Sequence, residues 1–526
     1  MKNMEDIDEK LTNGKHHSYW IDSVQPLAYS RIEENKETDI LIIGGGIAGL
    51  STAYNLSKSG RKVILVENGY LGSGESGRTT AQITYALDDR YFELEKIYGT
   101  EVTKEIASSH KNALKWIQSV IEEEKIDCDY KIVNAYLFPS ENDNPENLQK
   151  EYSATRRMEL ETKILNDIPS FKTDQQRNTI QFSNQAQFHI LKYLKGLADA
   201  IIRMGGEIYT NSKAEKISKS GAVCNGFTIS ANQIVVATNT PINNIFTIHT
   251  KQWAYRSYVI GAKIPKGTLP YAMWWDTGNQ ESKWATKPYH YVRLQPLDDE
   301  YDLLISGGED HKTGQANEQN LTEHQRFENL IQWTNSHFPY FSEVQYQWTG
   351  QLMEPVDSLA FIGKNPGDKN IFIITGHSGN GMNYGTIGGI LISDLINGKS
   401  NSWEKLYSPA RITLKTGNVY MQEVGNMAVN MVKGWFNSDI SKTTKLPANC
   451  GAIINNGLEK IAVYRNPYGK LIAFSAVCPH MGGILKWNNE EKTFDCPLHG
   501  SRFNTQGHVA CGPAISNLKE KKVPKD

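Results

Sequence analysis

Twice along the chain an apolar run ends in clustered glycines and gives way to a stretch of helical character. The first is TDILII, then Gly44-Gly45-Gly46-Ile47-Ala48-Gly49, then LSTAYNLSKSG; the second is NIFIITGHSGNGMNYG followed by TIGGILISDLI. Each predicts strand, turn and helix in that order. RKVILVE adds a short strand, and LIAFSAVCPH opens a strand-rich stretch near the end. In NVYMQEVGNMAVNMVKGWF, Met421, Val424, Met427, Met431 and Trp435 recur at helical spacing, which predicts a helix docked internally by its apolar face. The alternative is a helix resting on a membrane surface, but Lys433 is its only basic residue. No run reaches the roughly 18 apolar residues that span a bilayer.

The first glycine cluster has the spacing of a dinucleotide-binding turn. Gly44 permits the tight turn, Gly46 lets a pyrophosphate approach the backbone, and Gly49 lets helix pack on strand. Glu67, ending the next strand, is placed to accept hydrogen bonds from an adenosine ribose. The plain alternative is a glycine-rich turn without a ligand. After Glu67 the loop NGYLGSGESGRTTAQIT is suited to follow a long flavin nucleotide, and the second strand ends in Gly376, Gly379, Gly381 and Gly385. Both features favour FAD over NAD.

Near the other end, Cys478 and His480 are followed by Cys496 and His499, one thiol and one imidazole in each half. Two thiolates on one iron and two imidazoles on the other describe Rieske ligation, with potentials of roughly −150 to +300 mV. Zinc is the rival, but finger spacings pair Cys with Cys and His with His. Pro479, Gly482, Gly483, Pro497 and Gly500 suit two tight loops around the sulfides. The boxes CPHMGG and CPLHGSRFN resemble the Rieske family over residues 446 to 514. The resemblance implies a [2Fe-2S] cluster on those four ligands. Respiratory-chain members carry an extra cysteine in each box, where this chain has Gly483 and Leu498, and a tyrosine where it has Phe503. Ser501 keeps a hydroxyl for a cluster sulfide. Fewer hydrogen bonds to the sulfides imply the low end of the potential range.

Residues 37 to 411 resemble the glycine and D-amino-acid oxidase family of flavoproteins, through the segments above together with GGEIYTNSKAEKI, ANQIVVATNT and WTGQLMEPVDSLAFIG. The resemblance puts Ala214 at a backbone contact near the adenine, and Ser76, Arg78, Thr79 and Met382 by the pyrophosphate or flavin. Cys128, Cys224, Cys450 and Cys511 fall outside the stretches where relatives attach flavin, so noncovalent FAD is expected. They read as buried or inert thiols.

Composition changes this picture little. Of 526 residues, 39% are apolar, and Lys plus Arg at 56 against Asp plus Glu at 58 leaves no basic footprint for nucleic acid. The charged N-terminus MKNMEDIDEK and the cysteine usage point to the cytoplasm. The fold class expected is α/β: a Rossmann-like FAD-binding domain with an interleaved α+β substrate layer, plus a small all-β Rieske domain. The boundaries read as an arm over 1–36, the flavoprotein over 37–411 with its substrate layer at about 86–180 and 250–345, a linker with an amphipathic helix over 412–440, and the Rieske domain over 441–526. SYWIDSVQPLAY is expected to fold over the flavin domain.

Together these readings imply a dehydrogenase that oxidises a small amine or amino acid, reduces FAD, passes electrons to the cluster and discharges them to an external acceptor or redox protein. The C–N substrate class comes from the resemblance alone. The alternative is an electron-transfer reductase fed by a pyridine nucleotide or redox protein. A Rieske oxygenase would need a further mononuclear iron on two histidines and a carboxylate, which the histidine map does not offer. No general base stands out. Arg293 could pair with a carboxylate and His290 could move protons, with ordinary strand packing the plain alternative for both; His189 and His377 are weaker candidates still.

Overall fold

The computed structural model describes residues 14–524 except 175–176, 244–247, 283–286, 317–319, 342 and 437. Residues 1–13 of the expected arm lie outside that set.

The apolar run Lys36–Ile43 forms the middle of an eight-stranded sheet, parallel to Val63–Val66 on one side and Phe227–Val236 on the other. Ile371–Thr375 extends it in parallel and Phe361–Lys364 closes that edge antiparallel. Strands covered on both faces carry no alternation, which is why Ile40, Leu41, Ile42 and Ile43 are all buried. Helices Ile47–Lys58 and Gly381–Ile396 cross on one face. Their contact depends on glycine: a Cβ on Gly385 would meet the Ala48 nitrogen at 3.2 Å, and one on Gly389 the Ser51 carbonyl carbon at 2.7 Å. Gly385 therefore serves helix packing rather than the turn.

A nine-stranded sheet stands over this layer, running from Glu343–Pro355 through Gln252–Pro265, Tyr301–Lys312, Tyr291–Pro296, Ala272–Asp276, Lys131–Phe138 and Thr179–Gln187 to Gln82–Ile83. The C-terminal part has a three-stranded sheet, Cys450–Asn456, Glu459–Arg465 and Leu471–Ser475, and a four-stranded one, Lys486–Asn488, Thr493–Asp495, Arg502–Phe503 and Val509–Cys511.

The arm lies across the larger part. Trp20 is fully buried and its Nε1 donates to the Thr79 carbonyl at 2.6 Å.

The helix over Gly417–Phe436 exists, but only the middle of the face that the apolar spacing predicts is docked: Met427 packs against the C-terminal core and against Trp253 and Tyr255. Met421 is 68% exposed, and Met431 and Trp435 are 43% exposed. Beside Met427 the helix is anchored by Glu423, buried against Lys312, by Asn426, which accepts from Gln315 at 3.0 Å, and by Gly434, whose bare backbone lies on Ile484. A buried ion pair and a close backbone approach fix its rotation, and hydrophobic periodicity cannot register either.

Candidate functional site

Three connected spaces follow from this architecture. The first lies where Lys36–Ile43 gives way to helix Ile47–Lys58. Gly44 has φ +113°, and a Cβ there would meet the Ala237 carbonyl oxygen at 2.4 Å. A Cβ on Gly46 would fall 2.8 Å from the Ser76 Oγ, which accepts from the Ile47 amide at 3.0 Å. The bare backbone thus leaves a cleft of about 190 Å³, lined by Gly44, Gly46, Glu67, Ser76 and Ala214. The Glu67 carboxyl accepts from the amides of Gly45 at 2.7 Å and Gly69 at 2.9 Å. Burial raises its pKa, and those amides draw it back. The cleft suits a nucleotide. Val509 to Gly512, from the C-terminal part, line its other wall, which no local motif announces.

The second space, about 140 Å³, adjoins the first through Ser76 and His377. Thr79, Gly379, Gly381 and Met382 line it, and they would hold the flavin ring. Gly49 and Gly376 line neither space; Gly49 instead brings helix against turn, with a Cβ there only 1.9 Å from the Gly44 oxygen. Arg78 also lines the second space, but its guanidinium faces the C-terminal part, 3.5 Å from Glu491.

Acidic residues that sequence reasoning missed face this space. Asp88 and Asp310 line it beside Tyr289 and Tyr291. A Cβ on Gly379 would meet an Asp88 oxygen at 1.9 Å, so glycine there admits the carboxyl. Burial pushes Asp310 up to about 7 and raises Asp88. The acids lie on separate segments with no spacing signature, so nothing in the chain flags them.

A third space, about 420 Å³, shares Asp88, Tyr289, Asp310, Leu352, Ser378 and Gly379 with the second. Asp89, Glu151, Glu354 and Glu423 line it further out.

The remaining candidates lie elsewhere. Arg293 is fully buried and donates to the carbonyls of Thr80, Ala81 and Phe188, at 3.0, 2.8 and 3.2 Å, so its guanidinium is committed to the scaffold. His290 stacks on Trp333 at 4.0 Å between Asp276 and Glu309 and lines none of the three spaces. Burial opposes its charge, yet Asp276 and Glu309 bring it up to about 9. His189 bonds Ser23 at 2.9 Å and caps helix Ile190–Arg203. His377 is the one of these that lines the first two spaces, with burial lowering it to about 4.

In the C-terminal part the two boxes fold as twins. The Cys478 amide donates to the Gly483 carbonyl at 2.8 Å and the Gly482 amide to the Cys478 carbonyl at 3.0 Å. Cys496, Ser501 and Gly500 repeat this at the same distances. Gly482 and Gly500 both have φ +78°, where a side chain strains the backbone. His480 and His499 face each other with ring centroids 5.0 Å apart. Both His499 nitrogens are buried without a protein partner, an unmet polar need that a metal would satisfy. Cys478 and Cys496 are buried side by side, so the four residues fit a cluster with two thiolate and two imidazole ligands. Where respiratory proteins carry the extra cysteines, the Leu498 side chain packs on Gly483, within 2.8 Å of where its Cβ would be.

These loops are seated on the larger part. Gln351 donates to the Gly500 carbonyl at 3.1 Å and Gln315 to the Pro497 carbonyl at 3.2 Å. The ring of His249 lies 4.8 Å from that of His480 and 6.0 Å from that of His499. Behind them Glu491, 1% exposed, faces Arg78 at 3.5 Å and Arg256 at 3.9 Å, and accepts from the His16 amide of the arm at 3.1 Å.

The model of the FAD dependent oxidoreductase family, DAO, matches residues 39–395, and that of the Rieske [2Fe-2S] domain matches residues 439–522. The putative Rieske 2Fe-2S iron-sulfur protein YhfW of Bacillus subtilis (strain 168) is 30% identical over 514 residues, covering 96% of this chain and 97% of the relative. Gamma-glutamylputrescine oxidoreductase of Escherichia coli (strain K12) is 24% identical over 409 residues, 74% of this chain and 90% of the relative. Among solved structures, glycine oxidase from Geobacillus kaustophilus superposes with a TM-score of 0.58 at 16% identity, over 72% of this chain and 100% of that one. L-Amino acid deaminase from Proteus myxofaciens gives 0.57 at 14% identity, over 75% and 97%. The structural likenesses establish the fold.

Proposed function

The chain belongs to the DAO family of FAD-dependent oxidoreductases and carries a Rieske [2Fe-2S] domain, and from that premise we propose a dehydrogenase that oxidises a small amine or amino acid and delivers the electrons through the cluster to an external acceptor. FAD supplies the hydride acceptor and the cluster carries one electron at a time. The observation that carries the reading is the seating of the cluster loops on the flavoprotein, with His249 against both histidine ligands and Val509 to Gly512 walling the nucleotide cleft. Two prosthetic groups housed in one docked body suit an internal relay without domain excursion.

Within the substrate class the cavity favours the amine end. Among the described residues lining the second and third spaces, Arg78 faces Glu491 and Arg90 donates to the carbonyls of Leu87 and Asp276. Neither guanidinium is free to grip an α-carboxylate, whereas Asp88 and Asp310 suit an ammonium. The Escherichia coli relative is named for a putrescine derivative, which agrees.

Anaerobic titration of the holoenzyme with a panel of amines, following flavin bleaching and cluster EPR together, tests the proposal. Bleaching followed by a reduced-cluster signal is the result expected. Reduction by NADH and by no amine, or a cluster that never gains an electron after the flavin is reduced, would overturn it.

A further inference from the structure

The third space is lined by more carboxyls than cations. Asp88, Asp89, Glu93, Asp143, Glu151, Asp310, Glu354 and Glu423 face Arg90 and Lys287. Arg90 is held by two backbone carbonyls, Lys287 donates to the Ser282 carbonyl at 2.6 Å, and only Glu423 has a buried lysine, Lys312, as partner. Three walls carry an unmet need. Glu151 is 2% exposed and Asp310 is 9% exposed, and Glu151 Oε1, Asp310 Oδ1 and Asp88 Oδ2 are buried without a hydrogen-bond partner. Native proteins rarely bury such atoms without a ligand or water to meet them. Asp310 sits where this space opens onto the flavin space, while Glu151 lines only the outer one. Among the described residues no three acidic, histidine or cysteine groups converge closely enough to hold a metal ion. Dispersed carboxyls of this kind match a ligand whose positive charges are themselves spread along a chain.

We propose that this space binds a distal ammonium group, so that the enzyme's substrates are linear polyamine-like compounds with one amine presented at the flavin and another held near Glu151. This rests on the amine-oxidising reading above and names its substrate class. Burial holds Asp310, Asp89 and Glu151 up near 7, so a cation entering at neutral pH displaces protons from them.

The test is isothermal titration of oxidised holoenzyme with α,ω-diamines and with n-alkylamines of matched length, in wild type, Glu151→Gln and Asp310→Asn. At pH 8 the diamine is expected to bind about ten-fold tighter, the worth of one charge-assisted contact. Glu151→Gln should erase most of that preference, and diamine binding near pH 7 should release protons. Equal affinity for the two series, or a preference that survives both substitutions, overturns the proposal. Should a variant not fold, wild type decides alone: the preference must shrink as pH falls from 8 to 5, and a preference independent of pH overturns it. Because binding is read without turnover, the two readings fail separately: diamines that bind with this preference while no amine of the panel reduces the flavin sink the amine-oxidising reading and leave the cation site standing.

Discussion

Two regions of this molecule bury carboxyls out of water, and they solve the problem in opposite ways. At the junction of the two parts, Glu491 faces Arg78 and Arg256 while Arg502 pairs with Asp495 at 3.0 Å. Burial would raise Glu491, but Arg78 foremost, with His16 and Arg256, holds it well below the usual carboxylate range. In the third cavity Asp88, Asp89, Asp310, Glu151 and Glu354 are all raised, by burial foremost, with like charge adding for Asp89, Asp310 and Glu354 and with Arg90 only partly offsetting the burial of Asp88, Asp89 and Glu151. Compensated charge welds two domains together. Uncompensated charge lining a space is held ready for something that enters it.

The largest effect should come from breaking the compensated side. Glu491→Ala strands two arginines whose side chains are fully buried, and removing one partner of a buried pair costs about 3–5 kcal/mol. Urea denaturation should show that loss, and reduction of the cluster by the flavin should slow because the docked face loosens. A loss below about 1 kcal/mol would mean that the junction is not held by charge.

On the uncompensated side the pH dependence has the opposite sign. Asp310 and Glu151 titrate near 7 when folded and near 4 when unfolded. Between those values the folded protein holds more protons, so their contribution to stability falls as pH rises from about 4 and is fully lost above about 7. Glu491 stabilises above its unfolded pKa and ceases to do so as pH falls toward its depressed folded value. Asp310→Asn should therefore stabilise the ligand-free protein by about 4 kcal/mol at pH 8 and by only about 1.5 kcal/mol at pH 5, as measured by urea midpoints at the two pH values.

The comparison also marks what could be read in the chain. The tight turn at Gly44 and Gly46 and the twin loops that carry Cys478, His480, Cys496 and His499 were legible because each is written in a short, local spacing. The rotation of helix Gly417–Phe436 was not, because Glu423 and Gly434 set it against Lys312 and Ile484, far away in sequence. Nor were Glu491, Asp88, Glu151 and Asp310. Each is an ordinary acidic residue until the fold removes it from water. The part played by Arg293 was hidden for the same reason: its bonds to Thr80, Ala81 and Phe188 exist only after three segments meet.

A neutral contact at the same junction should matter less than the charged one. Gln351→Ala removes the donor to the Gly500 carbonyl, at 3.1 Å, and one such bond is worth about 1 kcal/mol. His249→Ala, which removes the ring beside His480, should leave flavin reduction by amine intact while slowing cluster reduction in stopped flow. A cluster-reduction rate unchanged from wild type would mean that His249 takes no part in seating the loop of His480.

The smallest effect isolates burial as the cause. Lys58 and Glu123 form an ion pair at 2.5 Å, with side chains 47% and 50% exposed. Geometrically it is closer than any contact of Glu491 with an arginine. Water screens both ends, however, and ordering two long side chains offsets the attraction, so Lys58→Ala should change stability by only about 0–0.5 kcal/mol. If proximity of charge set the energetics, this pair would be the stronger one and its loss would exceed that of Glu491→Ala. If removal from water sets them, the ranking follows exposure. Urea midpoints of the two variants, compared at one pH and repeated at high salt, decide between these, because salt should abolish the Lys58 effect and leave the Glu491 effect largely intact.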